Sequence, residues 1–475
     1  MNTRRNNLAA KAMYHIKENE ISLLVSLLFP LLVSFTVFVN YFSWNTGNFH
    51  PGLVDRLQEL FSVVWIIPLP VALLSLLGMV LYKGRTSVEH AAIPFLSGQT
   101  IYFRLATRGI NQHTVLITAA NVMDTMEQVN RQGNSAISYV MEIITEKTNP
   151  PLVYLVNQSR WKDGIVVLEV PQDYATENKA LFKARALHYA TQHSGAKEND
   201  WIFHLDDESQ INKATVLGIA EFIAKEEGRI AQDPQYKPRI GQGTILYHRN
   251  MRQNLLYTLA DSIRTADDIG RYFLQYLCQV CIFGMHGSFI LARNSVEKQE
   301  GFDLLPAHCI TEDAYWGLKL MQKGYKFGHV NGFVHEQSPE KSLDFVKQRR
   351  RWFRGITKVI QAKDISMRYK CTLSLMTVLW ACSGLIVFYT ALNIIHPVPI
   401  PALIGFLASV AFSVYVLMYM IGYYVNSKYA RIPAYRKVLF FIAQIAFIPI
   451  FALLEASGAV YGLLDRRLDF YVIKK

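Results

Sequence analysis

Three short stretches of this chain combine residue types that can do chemistry together. In "WIFHLDDES" (201–209) an apolar run ends in three carboxylates, Asp206, Asp207 and Glu208. With the two-residue period of a strand, Asp206 and Glu208 point to one side and Asp207 away. Two convergent carboxylates suit a hard divalent cation, Mg2+ or Mn2+, which keeps water and phosphate oxygens in its remaining positions; a solvated acidic turn has the same composition. In "CITEDAYWGLKLMQKGYKF" (309–327) Thr311 fits a helix N-cap, Glu312 and Asp313 fall in the first turn, and Gly324 stops the helix after Lys323. Acidic residues there either complement the helix dipole or, if one faces a ligand, supply a general base. In "KQRRRWFR" (347–354) helical spacing puts Gln348, Arg351 and Trp352 on one face and Arg350 and Arg354 on roughly the opposite one. The first face offers a guanidinium for phosphate oxygens. The second is expected to rest on anionic headgroups.

The elements that must position these residues are legible nearby. "IYFRLATRG", "ISYVMEIITE", "IVVLEVP" and "WIFHLDDES" read as strands, and "NKALFKARALHYATQ" has helical spacing, with Leu181, Ala184, Leu187 and Ala190 near one face. The alternation implies an α/β domain with an open, mostly parallel sheet. Ligands then bind beyond the carboxyl ends of the strands, where the acidic triplet falls.

Composition sets the surroundings. The chain has 475 residues, 51% hydrophobic, with a formal charge of +12, too apolar for disorder and unusual for a simple soluble protein. Apolar runs at about 21–41 and 60–82 precede the α/β part, and runs at about 373–395, 403–425 and 438–464 follow it. Each is long enough to cross a hydrocarbon core of about 30 Å. Pro449, Glu455, Ser457, Gly458 and Gly462 mark the last as bent or re-entrant, with a single tilted crossing as the alternative. Residues 1–94 thus read as an N-terminus and two spans, 95–340 as the catalytic-sized domain, 341–370 as an interfacial helix, and 371–475 as C-terminal membrane helices and a basic tail. Arg4, Arg5, Lys11 and Lys17 before the first span, against Arg56 alone in the following loop, place the N-terminus and the α/β domain in the cytosol. "CQVC" at 278–281 has metal spacing but no second pair, and reads as two small buried residues on a helix.

Taken in order, Lys183 in "FKARAL", "LDDES", "HGSF" (286–289), "TED" and "QRRRW" resemble the family 2 inverting glycosyltransferases of GT-A fold, a family that includes cellulose and hyaluronan synthases. "RLATRG" (104–109), "ALFKARAL", "LADSIRTADDIG" (259–270), "SPEKSLDFVKQRRRW" and "FYVIKK" are closer to its egghead-type β-1,4-mannosyltransferases. The resemblance implies a GT-A domain inserted between N- and C-terminal transmembrane helices and a nucleotide-sugar donor, GDP-mannose first, with a lipid-linked sugar such as glucosylceramide as acceptor. It further implies Asp313 as general base, Asp206 and Glu208 as Mg2+ or Mn2+ ligands, and Thr107, Arg108, Glu146, Lys183, Asp206 and Arg351 on the donor. His286, Gly287, Ser288, Glu312, Gln348 and Trp352 fall to the acceptor. The family usually has aspartate where this chain has Glu146 in "IITEK", a longer arm toward the nucleoside.

A processive polysaccharide synthase fits the same motifs. A multi-span transporter accounts for the apolar runs and Glu455 but leaves the ordered acidic motifs unexplained. Nucleic acid is excluded as a partner, because the basic cluster is short and 37 acidic residues accompany 49 basic ones.

Overall fold

The computed structural model describes residues 19–44, 52–84, 94, 96, 98–132, 136–303 and 310–465. The N-terminal basic residues, Cys309 and the tail from residue 466 lie outside them. Seven strands, β1 (Thr100–Thr107), β2 (Ser138–Glu146), β3 (Ile165–Val170), β4 (Trp201–Leu205), β5 (Ile240–Tyr247), β6 (Ile290–Arg293) and β7 (Phe327–Glu336), form one sheet in the order β3-β2-β1-β4-β6-β5-β7. The pairs β3-β2, β2-β1, β1-β4 and β5-β7 are parallel, while β6 runs antiparallel to both neighbours. The four strands read from the sequence are thus the parallel half of a mixed sheet.

Both faces are covered, so strand side chains on either side are buried and the runs read as nearly continuous apolar stretches. On one face Val115, Val122 and Met126 of helix Gln112–Gln132 and Val216, Ile219 and Ile223 of helix Lys213–Gln232 pack on Phe103 and Phe203. On the other, Ala186, Leu187 and Ala190 of helix Phe182–His193 and Trp316, Leu318 and Leu320 of helix Glu312–Gln322 share a core with Ala106 and Ile144. One charged row crosses that interior. Arg104 stands in register with Glu142 and His204 on the flanking strands, so the three project from one face. Arg104 donates to Glu142 at 2.6 Å and to Glu297 at 2.7 Å, and Glu297 also meets His204 at 2.5 Å. A fully buried guanidinium is tolerable only with such partners.

Helices Glu20–Asn40, Leu53–Leu81, Met367–Ile395 and Ala402–Tyr429 are long and apolar enough to cross a membrane. The last apolar run is two helices, Ala434–Ala446 and Ile448–Leu464, which meet at a 58° bend beside Pro449. Glycines fasten these helices to the α/β domain. A Cβ on Gly78 would lie 1.9 Å from the Gly270 carbonyl oxygen, and one on Gly422 would lie 1.8 Å from that of Ser262. In the same way Gly458 and Gly462 admit Arg349 and Phe353 of helix Ser342–Gln361.

Candidate active site

Strand β4 ends at Leu205, so the acidic triplet is a turn and not an extension of the strand. The Asp206 amide donates to Ser209 Oγ at 3.0 Å, and the Ser209 amide returns to the Asp206 carbonyl at 3.1 Å. This overturns the alternation expected for Asp207, which stands in the same cavity wall as Asp206 and Glu208. Thr107 at the end of β1 donates to Asp207 Oδ2 at 3.1 Å. Burial, and then the charge of Glu208, push the Asp207 carboxyl up to about 7.

Lys183, one residue into helix Phe182–His193, donates to Asp206 Oδ1 at 2.5 Å and to the Gly287 carbonyl at 2.9 Å. Burial works against its ammonium, but the charges of Asp206, Glu312 and Asp313 outweigh it and raise the pKa. Phe182 just before it and Phe289 just after Ser288 hold left-handed φ values of +52° and +59°. Strained backbone of this kind costs about 1–3 kcal/mol and gathers at functional sites.

Glu312 and Asp313 open their helix as expected, with Gly324 at φ +82° beyond its end. Thr311 departs from its expected capping role: its hydroxyl is buried and finds no partner among the described residues. Asp313 Oδ1 accepts the Ala314 amide at 2.8 Å. Burial, followed by the neighbouring Glu312 charge, raises the Asp313 carboxyl to about 7. Gly287 gives it room, since a Cβ there would come 3.2 Å from both Asp313 Oδ2 and Lys183 Nζ.

Gln348, Arg351 and Trp352 face the same cavity from helix Ser342–Gln361. On the opposite face, Arg350 does not meet headgroups as expected. Arg350 is buried, ion-paired with Asp465 at 3.0 Å and set over the Tyr461 ring. Close packing against the C-terminal helix takes the place assigned to lipid. Arg349, between the two faces, is fully buried and binds Asp261 at 2.5 Å and Glu455 at 2.8 Å, which supplies Glu455 with a partner.

One cavity of about 1350 Å³ is lined by every site residue singled out in the sequence: Thr107, Arg108, Glu146, Lys183, Asp206, Glu208, His286, Gly287, Ser288, Glu312, Asp313, Gln348, Arg351 and Trp352. Its walls continue into the long apolar helices through Phe35, Trp65, Trp380, Phe412 and Leu453. Sequence reasoning missed Arg185, which reaches Glu146 at 3.3 Å, and Glu336 at the carboxyl end of β7. Glu336 accepts from Ser288 Oγ at 2.6 Å and Ser209 Oγ at 3.1 Å, and burial together with the charges of Asp206 and Glu208 raises it to about 7. A carboxylate ending a strand was the available signal. "CQVC" splits: Cys281 is buried as expected, whereas Cys278 is exposed.

Among the described residues no three His, Cys, Asp or Glu side chains converge to hold a metal alone. Asp206 and Glu208 nevertheless fit Mg2+ or Mn2+ as hard oxygen donors. Asp207 and Glu336 beside them are raised first by burial and then by neighbouring carboxylate charge, and a divalent cation held by Asp206 and Glu208 would offset that charge.

Known proteins are similar to this chain. Residues 201–426 match the Glycosyl transferase family group 2. The chain is 28% identical over 462 residues to the β-1,4-mannosyltransferase egh of Drosophila melanogaster, covering 95% of this chain and 96% of that protein. It is 29% identical to the β-1,4-mannosyltransferase bre-3 of Caenorhabditis elegans, over 86% of each. Among solved structures, the mannosyltransferase PcManGT from Pyrobaculum calidifontis in complex with GDP-Man and Mn2+ superposes with a TM-score of 0.48 at 12% identity, covering 87% of this chain and 100% of that one. The carboxylates gathered at the strand ends fall within a region, residues 201–426, that is similar to family 2 glycosyltransferases, and the similarity to β-1,4-mannosyltransferases runs along nearly the whole chain.

Proposed function

We propose that the protein transfers mannose from GDP-mannose, with inversion and in β-1,4 linkage, onto a membrane glycolipid such as glucosylceramide, from a domain facing the cytosol. The observation that carries the lipid acceptor is the single cavity running from Asp206 and Asp313 to apolar walls on helices from both ends of the chain. A head group reaches the carboxylates while its aliphatic chain stays among Phe35, Trp380, Phe412 and Leu453. Polar side chains in that part are engaged with each other: Asn40 donates to Ser409 at 2.6 Å, and Thr36 meets Ser413 at 3.0 Å. Such a lining suits a hydrocarbon chain better than the hydroxyl-rich polymer of a processive synthase. The donor reading is supported by the extent of similarity to proteins named β-1,4-mannosyltransferases.

In this reading Asp313 takes the proton of the acceptor hydroxyl as its oxygen bonds the anomeric carbon and the bond to the diphosphate oxygen breaks on the opposite side. A carboxyl held near 7 is a stronger base than an ordinary aspartate. Lys183 and Arg351 receive the charge that develops on the leaving diphosphate. A divalent cation held by Asp206 and Glu208 supplies further charge neutralisation there when bound. The test is full-length enzyme in nanodiscs, assayed for GDP or UDP release with GDP-mannose, UDP-glucose and UDP-N-acetylglucosamine against glucosylceramide and soluble glucosides. Release from GDP-mannose that depends on glucosylceramide is expected. Release coupled only to a growing soluble polymer would replace this reading with the synthase.

A further inference from the structure

The helical segment 255–277 received no role from its sequence, yet it forms much of the cavity wall between the catalytic carboxylates and the apolar helices. It meets the apolar helices at Gly270 and at Ser262; on the other side Asp268 Oδ1 lies 3.1 Å from Nδ1 of His286, next to the Gly287 that borders Asp313. A π-helical turn over Asp268–Tyr272, with Gly270 at ψ −108°, breaks the helix there, and such turns recur at functional sites.

Polar atoms along this wall are buried without partners among the described residues: Asp261 Oδ2, Asp267 Oδ1, Arg271 Nε, and beside them the hydroxyls of Tyr247 and Thr311. All five residues line the cavity. Tyr247, Asp261 and Thr311 are more than nine-tenths buried. A buried unpaired polar atom costs about 1–3 kcal/mol, and a group of them in one cavity wall needs a common partner. Trp352, one of the residues expected at the acceptor, does not fill this need, because two guanidiniums, Arg264 at 4.2 Å and Arg349 at 4.6 Å, already lie over its indole.

We propose that this wall is the acceptor head-group site, in which the carboxylates of Asp261 and Asp267 and the hydroxyls of Tyr247 and Thr311 hydrogen-bond the non-reacting hydroxyls of a lipid-linked hexose. Carboxylates accept from vicinal hydroxyls, the two hydroxyl side chains donate or accept, and Arg271 donates, so the set matches a polyol and not a second phosphate. The site rests on the glycolipid reading and deepens it by assigning the residues that recognise the sugar.

The experiment uses full-length enzyme in nanodiscs with GDP-mannose and either glucosylceramide or its analogues lacking one non-reacting ring hydroxyl. Tyr247→Phe removes a hydroxyl that has no partner among the described residues and keeps the ring under Arg264; Asp267→Asn removes a charge. Each is expected to raise the acceptor KM about ten- to hundredfold, to leave GDP affinity by calorimetry within about threefold, and to lose sensitivity to deletion of one particular hydroxyl. Unchanged acceptor KM in both variants, or an equal rise for every acceptor, overturns the site while wild-type transfer to glucosylceramide upholds the glycolipid reading. Failure of the wild type to use any hexosyl lipid overturns both.

Discussion

Asp313 sits where two opposing demands meet: a helix start that favours its charge and a buried, carboxylate-rich cavity that opposes it. Burial and Glu312 win, and the group is held at about 7. A general base works as its carboxylate, so kcat/KM should fall as pH drops through about 7 and not near the ordinary aspartate value of about 4. A pH–rate profile that stays flat down to about pH 5 removes Asp313 from this role. Asp313→Asn should lower turnover about 10²- to 10⁴-fold while leaving nucleotide affinity close to wild type, measured by calorimetry against single-turnover kinetics. Arg349 illustrates the opposite case at this scale. It stands first in the arginine triplet, and only its packing against Asp261 and Glu455 shows that it is a structural ion pair and not a substrate contact.

Between elements, the domain and the apolar helices are joined by backbone approach at glycines in addition to shared apolar cores, in which Phe273 and Phe333 pack with Val25 and Leu417. Gly422→Ala and Gly458→Ala should therefore force the helices apart, at about 1–3 kcal/mol each, visible as a lowered midpoint of thermal unfolding in detergent and as lost transfer. Gly228→Ala is the matched comparison. It lies within helix Lys213–Gln232 with nothing within 4 Å of the added carbon, so alanine should stabilise by about 0.5–1 kcal/mol. Equal effects at all three positions would mean that the close contacts carry no load.

For the whole molecule, cation dependence and orientation are separable. Chelation with EDTA should abolish transfer, and Mn2+ or Mg2+ should restore it in the wild type but not in Asp206→Ala or Glu208→Ala; full activity in excess EDTA is the contrary result. Asn157 in "NQS" ends helix Leu152–Asn157 and is exposed. If the α/β domain faces the cytosol, it stays unmodified in eukaryotic cells despite being accessible. A mobility shift removed by a glycosidase would turn the topology over.

The sequence by itself determined the parallel strands, the helix carrying Lys183, the start of the helix carrying Asp313 and the five apolar runs, and it left the last run as either bent beside Pro449 or a single tilted crossing. Each rests on local periodicity, a turn residue or span length, which are properties of neighbours in the chain. It also identified fourteen residues that share one cavity, because their ordered motifs resemble a known family. Tertiary structure decided the rest. The antiparallel β6 depends on pairing with β4 and β5 from distant segments, and the turn after Leu205 depends on Ser209 closing back on Asp206. The burial of Arg350 depends on Gly458 and Gly462 letting a helix approach from about a hundred residues away. The segment 255–277 shows the limit most plainly: its acidic and basic residues look like an ordinary solvated helix until the fold buries them, and burial is a property of what packs around a residue rather than of the residue itself.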